Sequence, residues 1–355
     1  MVRTPQTTAT PWLETYSEII DVRSPAEYAL DHLPGAINLP VLDNEQRAEV
    51  GTMYTQVSPF QARKLGAAYV SANISQHLAS HFAHKDLDYA PLIYCWRGGQ
   101  RSRSLSIILT QIGWSATLLD GGYKTYRTHV REQLGTLPGQ LNFRVLCGMT
   151  GTGKTQILQQ LAQTGMQILD LEGLANHRGS LLGQAWLDAP EPQPSQKYFE
   201  TLVLQQLQTF DPRRPIWVES ESSKIGKVYL PVQLWHQLKA SPGIELQIPI
   251  AARVHGLLQG YPHLIAHPDF LKEKLQRLQG RYRRETLAQW FAWIDAGDWA
   301  TFVESLLETH YDPAYRRSLQ RDFPQVTQTL TLASLEPSEI ERAIGQLQQY
   351  PTLGA

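Results

Sequence analysis

The segment FRVLCGMTGTGKTQILQQL (143–161) constrains the fold of this chain more than any other. A short apolar run leads straight into G-x-x-x-x-G-K-[ST], from Gly148 to Thr155, and the residues after it keep helical spacing. A strand, a tight glycine turn and a helix in that order need a parallel sheet with helices packed on its faces. The turn also has a chemistry. Gly148, Met149, Thr150, Gly151, Thr152 and Gly153 can aim successive backbone N–H groups at a phosphate. Lys154 can reach the outer phosphate, and the Thr155 hydroxyl can hold Mg²⁺. Such a loop recognises a diphosphate or triphosphate, not a reaction, and no base-recognition motif of the NKxD type accompanies it.

With 355 residues, the chain is too long for one ordinary domain. At 42% hydrophobic it can bury two cores, and a formal net charge of -1 excludes a wholesale basic protein. Upstream of the loop, SEIIDV (17–22), PLIYC (91–95) and SATLLD (115–120) read as strands separated by helical patterns, a second α/β unit. We therefore expect an N-terminal domain over 1–130 and a linker at 131–142, where REQLGTLPGQLN carries two glycines and a proline. A phosphate-loop domain over 143–250 follows, with MQILDLE and PIWVES as further strands, then a helical extension over 251–355. The two cysteines lie far apart and suit a reducing cytosol. The N-terminus has no apolar leader, and no run approaches the ~18 apolar residues of a membrane span. The expectation is a cytoplasmic protein without membrane contact.

Cys95 ends an apolar strand, and WRGGQRSRS leads from it into a helix. A thiol there faces the free amides and the positive dipole end of that helix, both of which favour the thiolate. Gly98 and Gly99 let the backbone cradle an anion bound at the sulfur. Trp96, Arg97, Gln100 and Arg101 complete the loop, and no acid occurs between Asp88 and Asp120. Cys95 and Arg101 also satisfy the C-x5-R spacing of cysteine phosphatases, although Tyr94 stands where those enzymes usually show histidine. Cys147, inside the strand before the phosphate loop, reads as a small core residue. Glu219 and Glu221 end the PIWVES strand, where they either hold a metal-bound water or form a solvated strand end. Asp170 and Glu172 end another strand, ahead of His177 and Arg178. Asp170 and Glu172 are candidate acid or metal residues and His177 and Arg178 candidates to meet an anionic ligand; the alternative is a polar loop with a helix cap.

IIDVRSPAEYALDHLPGAINLP (19–40), YCWRGGQRS and LLDGGY together resemble a rhodanese domain. That resemblance makes Asp21 and Arg23 architectural and gives Cys95 the role of carrying sulfur or selenium, as a persulfide or selenosulfide. With VGTMYTQ, GMTGTGKT, DLEGLANHRGS, VESESSKIG and YDPAY added, nearly the whole chain resembles the bacterial tRNA 2-selenouridine synthases. Gln100 departs from the methionine common there. The resemblance implies a rhodanese domain joined to a P-loop NTPase-like α/β domain with a helical C-terminal extension. It also implies a two-step reaction on wobble 2-thiouridine, in which geranyl diphosphate alkylates the sulfur and selenium from selenophosphate then replaces it. Both are co-substrates, Mg²⁺ is a candidate ion, and the enzyme that makes selenophosphate is a candidate partner. A tRNA partner needs local positive charge. Lys124, Arg127 and Arg131 offer some, as do Lys272, Lys274, Arg277, Arg281, Arg283 and Arg284, with Tyr282 and Trp290 nearby as stacking aromatics. The alternative is a tRNA or small-molecule sulfurtransferase with an ATP-binding or nucleotide-sensing phosphate loop.

Overall fold

The computed structural model describes residues 4–177 and 192–350. The chain divides into two compact units, Met1–Gln133 and Leu134–Ala355.

Unit one is built on β1 (Gln6–Thr8), β2 (Glu18–Asp21), β3 (Ala36–Asn38), β4 (Pro91–Tyr94) and β5 (Thr117–Leu119). Their order is β1-β5-β4-β2-β3, with every pairing parallel. All four residues of the central strand β4 are buried, which is why PLIY reads as a continuous apolar run without alternation. The chain steps outward from β2 to β3, then crosses back to β4 on the other side of β2. This reversal opens a crevice at the carboxyl ends of β2 and β4, the place where open α/β sheets receive ligands. Arg23 follows β2 and Cys95 follows β4.

Asp21 and Arg23 hold that end of the sheet together. Arg23 Nε lies 2.9 Å and Nη2 2.6 Å from Asp21 Oδ2, with both side chains essentially inaccessible. Nη2 also donates to the Asp31 carbonyl at 2.6 Å, and the guanidinium carbon lies 4.1 Å from the centre of the Tyr123 ring. One cation thus joins the end of β2, the turn after helix Pro25–Leu30 and the start of helix Tyr123–Thr136.

Residues 131–142, expected as a linker, continue helix Tyr123–Thr136 and add a 3-10 turn, Leu137–Gln140. Val130 and Leu134 are buried and keep the helix going, and Pro138 falls in the first turn of the 3-10 segment, where its missing N–H costs nothing. The boundary between the units falls inside this helix.

Unit two contains β6 (Asn142–Gly148), β7 (Gln167–Leu169), β8 (Pro215–Glu219), β11 (Gly243–Gln247) and β12 (Val326–Thr331) in the order β12-β11-β6-β8-β7, again all parallel. A small antiparallel pair, β9 (Lys224–Ile225) and β10 (Val228–Tyr229), lies outside this sheet. Helices Ile250–Gly260 through Asp312–Asp322 form the expected helical region around a core that includes Leu271, Leu275, Trp290 and Phe302. The C-terminus then departs from expectation. β12 returns to pair with β11, and helix Pro337–Gln348 buries Ile340, Ala343, Ile344 and Leu347 against the sheet core. The helical region is therefore inserted before the last strand of the sheet. VTQTLT is an edge strand rich in Thr and Gln and gives no apolar run to read. No helix among the described residues is long and apolar enough to cross a membrane.

The Arg23 guanidinium has no solvent to fall back on. Asp21→Ala leaves it buried with its main partner gone, a loss of about 3–5 kcal/mol for a broken buried pair. Urea unfolding followed by tryptophan fluorescence should show the unfolding of unit one shifted to markedly lower denaturant, with Asp21→Glu falling in between.

Candidate functional site

Cys95 is 3% exposed at the end of β4. Its Sγ accepts the Gly99 N–H at 3.2 Å and the Ser102 hydroxyl at 3.2 Å. Gly99 caps helix Gln100–Ile112 and Ser102 lies in its first turn, so an anion bound at the sulfur meets donors and a positive dipole end. The loop's second wall is Gly121–Lys124. The Tyr123 N–H donates to the Cys95 carbonyl at 2.8 Å and the Lys124 N–H to the Trp96 carbonyl at 3.2 Å. Gly122 makes this approach possible: it has φ +61°, and a Cβ there would stand 2.3 Å from the Cys95 carbonyl oxygen. LLDGGY is therefore part of the thiol site, beyond its value as a family motif.

Arg101, expected in this loop, and Arg127, expected as a tRNA contact, are both turned to carboxylates. Arg101 makes a two-pronged ion pair with Glu27, at 2.6 and 3.2 Å, and ties the thiol-loop helix to helix Pro25–Leu30. Burial opposes the charge on Glu27, but Arg101 still holds its carboxyl below the usual range. C-x5-R is thus satisfied by spacing while Arg101 is engaged with a carboxylate. Arg127 lies 3.9 Å from the buried Asp31 carboxylate. Arg97, Gln100 and Lys124 are exposed, and the exposed Trp96 packs on Tyr123 with ring centres 5.3 Å apart.

The phosphate loop leaves the central strand β6 and enters helix Lys154–Gln163, with Gly151 and Gly153 in left-handed conformations. Lys154 Nζ donates to the Gly148 carbonyl at 2.7 Å. Parallel register brings the acids to it. Leu146 pairs with Glu219 across β6 and β8, while β7, on the far side of β8, delivers the chain to helix Leu171–Ala175 and Glu172. The Thr155 hydroxyl lies 3.1 Å from Glu219 Oε2 and 3.3 Å from Glu172 Oε2. One carboxylate oxygen each from Glu172, Glu219 and Glu221 lie within 4.8 Å of one another. Asp170 stays out of this group; its Oδ1 caps the helix by accepting the Gly173 N–H at 2.8 Å.

Three carboxyls this close repel. Burial, and then Glu172, pushes the Glu219 carboxyl up; burial, and then Glu221, does the same to Glu172. Burial and the charge on Glu219 bring Glu221 up to about 7. Glu219 is 2% exposed, and its Oε1 has no hydrogen-bond partner. An all-oxygen set with an orphaned buried acceptor fits a hard divalent cation such as Mg²⁺. His177 lines the same cleft of about 780 Å³; burial keeps its imidazole below the usual range, and its Nδ1 is without a partner. Arg178 lies outside the described residues. Cys147 is fully buried and its thiol is pushed up to about 12 by burial, so it is a core residue.

Three residues that were not singled out individually from the sequence brace the loop from the helical region. Tyr315 Oη accepts the Gly148 N–H at 2.5 Å. Arg253 Nε donates to the Thr150 carbonyl at 2.9 Å, and its guanidinium grips Asp312 at 2.6 and 3.0 Å in a buried pair. YDPAY (311–315) contains two of the three, and its Asp-Pro helix start was the available signal; Arg253 has none. The basic cluster is reshaped. Arg277, Arg281, Arg283 and Arg284 are exposed, and Lys272 pairs with Asp295. Trp290, expected as a stacking aromatic, is 1% exposed in the core with its N–H on Ser305, and Tyr282 turns its hydroxyl to His310.

Removing one buried charge should relieve the acid trio. In EDTA, Glu219→Gln is expected to melt about 2–4 °C above the parent, the shift that ~1 kcal/mol produces in a unit of this size. Added Mg²⁺ should raise the melting temperature of the parent and leave the variant unmoved. Calorimetry with and without the ion checks both.

Comparison with known proteins agrees with this architecture. The rhodanese-like domain model matches residues 8–129, and a model described as the tRNA 2-selenouridine synthase AAA domain matches residues 141–289. A tRNA 2-selenouridine synthase of Bdellovibrio bacteriovorus is 31% identical over 85% of this chain and 89% of its own length. One from Alcanivorax borkumensis is 32% identical over 85% and 90%. Another, from Nitrosomonas europaea, is 37% identical over 68% of this chain and 63% of its own. With a thiol loop on one parallel sheet and a phosphate loop on another, and with relatives matched across both, this chain belongs to the tRNA 2-selenouridine synthase family.

Proposed function

We propose that this protein converts the wobble 2-thiouridine of tRNA into 2-selenouridine in two steps, each served by one loop. In the first step the thiouridine sulfur attacks the first carbon of geranyl diphosphate. A C–S bond forms, the C–O bond to diphosphate breaks, and the diphosphate leaves with its charge held at the phosphate loop. In the second step the selenium of selenophosphate attacks C2 of the base, a C–Se bond forms and the C–S bond breaks with geranyl thiolate departing, and water then cleaves the P–Se bond to release phosphate.

The observation that carries this reading is the pairing, in one chain of this family, of a donor-lined thiol with a phosphate loop beside three converging carboxylates. Lys154 and the loop N–H groups suit a leaving group that gains negative charge as its bond breaks. Mg²⁺, held by Thr155 with Glu172, Glu219 and Glu221, would supply further charge neutralisation there. Cys95 serves the selenium step, where the Gly99 N–H and the helix terminus suit an anionic donor bound beside its sulfur. The exposed arginines at 277, 281, 283 and 284, with Lys124, supply tRNA backbone contacts. The setting is the cytoplasm, beside an enzyme that produces selenophosphate.

Two variants separate the steps. Cys95→Ala should form S-geranyl tRNA at the parent's rate while 2-selenouridine falls to background. Lys154→Ala should slow geranylation about 10²–10³-fold, the cost of losing a donor at a developing anion, yet make 2-selenouridine normally from tRNA that is already geranylated. Mass spectrometry of the released nucleosides reads both. Normal geranylation by Lys154→Ala places the prenyl donor elsewhere and favours a nucleotide-sensing loop.

A further inference from the structure

An apolar recess opens beside the phosphate loop. Thr150, Leu257, Tyr261 and Tyr311 line both this recess and the phosphate cleft, so the two spaces meet at the loop. Leu257 packs so closely on the loop that a Cβ at Gly151 would stand 2.9 Å from its Cδ1. Away from this mouth the lining is aliphatic and aromatic, with Phe302 and Leu306 buried and Val303 and Trp299 half-buried. The helical core is thus left unfilled at one point, where its apolar side chains face a gap.

The backbone around the gap is unusual in the same place. Leu307–Tyr311 forms a single π turn between helices Trp299–Leu306 and Asp312–Asp322. Such turns interrupt a helix to place side chains. This one contributes Leu307 and Tyr311 to the recess. The next residue, Asp312, anchors the Arg253 that holds the Thr150 carbonyl. A polar nucleobase would find an almost wholly apolar surface here, whereas a hydrocarbon tail esterified to a diphosphate matches an apolar recess that opens at the phosphate loop.

We propose that this recess is the seat of the prenyl chain, and that Val303 sets the chain length the enzyme accepts. The inference rests on the geranyl-transfer reading above and adds to it where the chain lies. An apolar chain buried there loses its water, and each carbon that fits or fails to fit is felt in the rate.

The test is S-alkylation of thiolated tRNA with dimethylallyl, geranyl and farnesyl diphosphates (five, ten and fifteen carbons), using the full chain. Val303→Trp should fill the recess and lower kcat/KM for geranyl diphosphate about tenfold or more relative to dimethylallyl diphosphate. Val303→Ala should shift preference toward farnesyl diphosphate. Inorganic diphosphate should inhibit all three proteins equally, which shows the phosphate loop intact and the variants folded. Unchanged chain-length ratios in both variants, with geranylation still active in the parent, overturn the inference and spare the functional reading. A parent protein that alkylates with none of the three donors overturns both.

Discussion

A helix begins with backbone N–H groups that have no partner inside it, and both reactive loops are answers to that constraint. Strand β4, buried throughout, and strand β6, buried from Phe143 to Gly148, each deliver the chain to the start of a helix at the centre of a parallel sheet. After β4 the Gly99 N–H turns onto a sulfur, joined there by the Ser102 hydroxyl. After β6 the loop residues from Thr150 to Thr155 line a cleft shared with Glu172, Glu219 and Glu221. The same geometric need therefore yields a thiol loop in one unit and a glycine-rich loop in the other. What differs is the side chain at the strand end and the charge on the neighbouring strand.

Each site is kept in shape by charges that do no chemistry. Arg101 is turned to Glu27, and the buried Arg23–Asp21 pair fixes the crevice beside Cys95. In the second unit the Arg253–Asp312 pair and Tyr315 hold the outer backbone of the phosphate loop. Those three residues come from the inserted helical region, so that insertion is a structural component of the phosphate site. The acid trio works the other way, as repulsion stored beside the loop that a cation or a proton must offset. Its position follows from parallel register, which sets Glu219 beside Leu146.

What could be read from the sequence follows the same physics. PLIY was legible because a strand buried on both faces is continuously apolar, and FRVLC because Arg144 alone, itself buried, interrupts its apolar run. The two loops were legible because a nucleophile or a phosphate nest needs neighbouring residues in a fixed local order. β12 was hidden because an edge strand of Thr and Gln carries no such run. Glu27, Tyr315 and Arg253 were hidden for another reason: their partners lie 74, 167 and 103 residues away, and no local spacing encodes such contacts. Arg101 and Trp290 misled for the converse reason. Their residue types suit an anion clamp and a base stack, but the fold gives one a carboxylate and the other a core.

The central claim is that two chemistries act in sequence on one uridine, and omission of substrates tests it most directly. Purified protein given thiolated tRNA and geranyl diphosphate alone should yield S-geranyl-2-thiouridine and stop there. Adding selenophosphate should then convert that species to 2-selenouridine as it disappears. Formation of 2-selenouridine at full rate with geranyl diphosphate withheld, and no alkylated species at any time, would contradict the account.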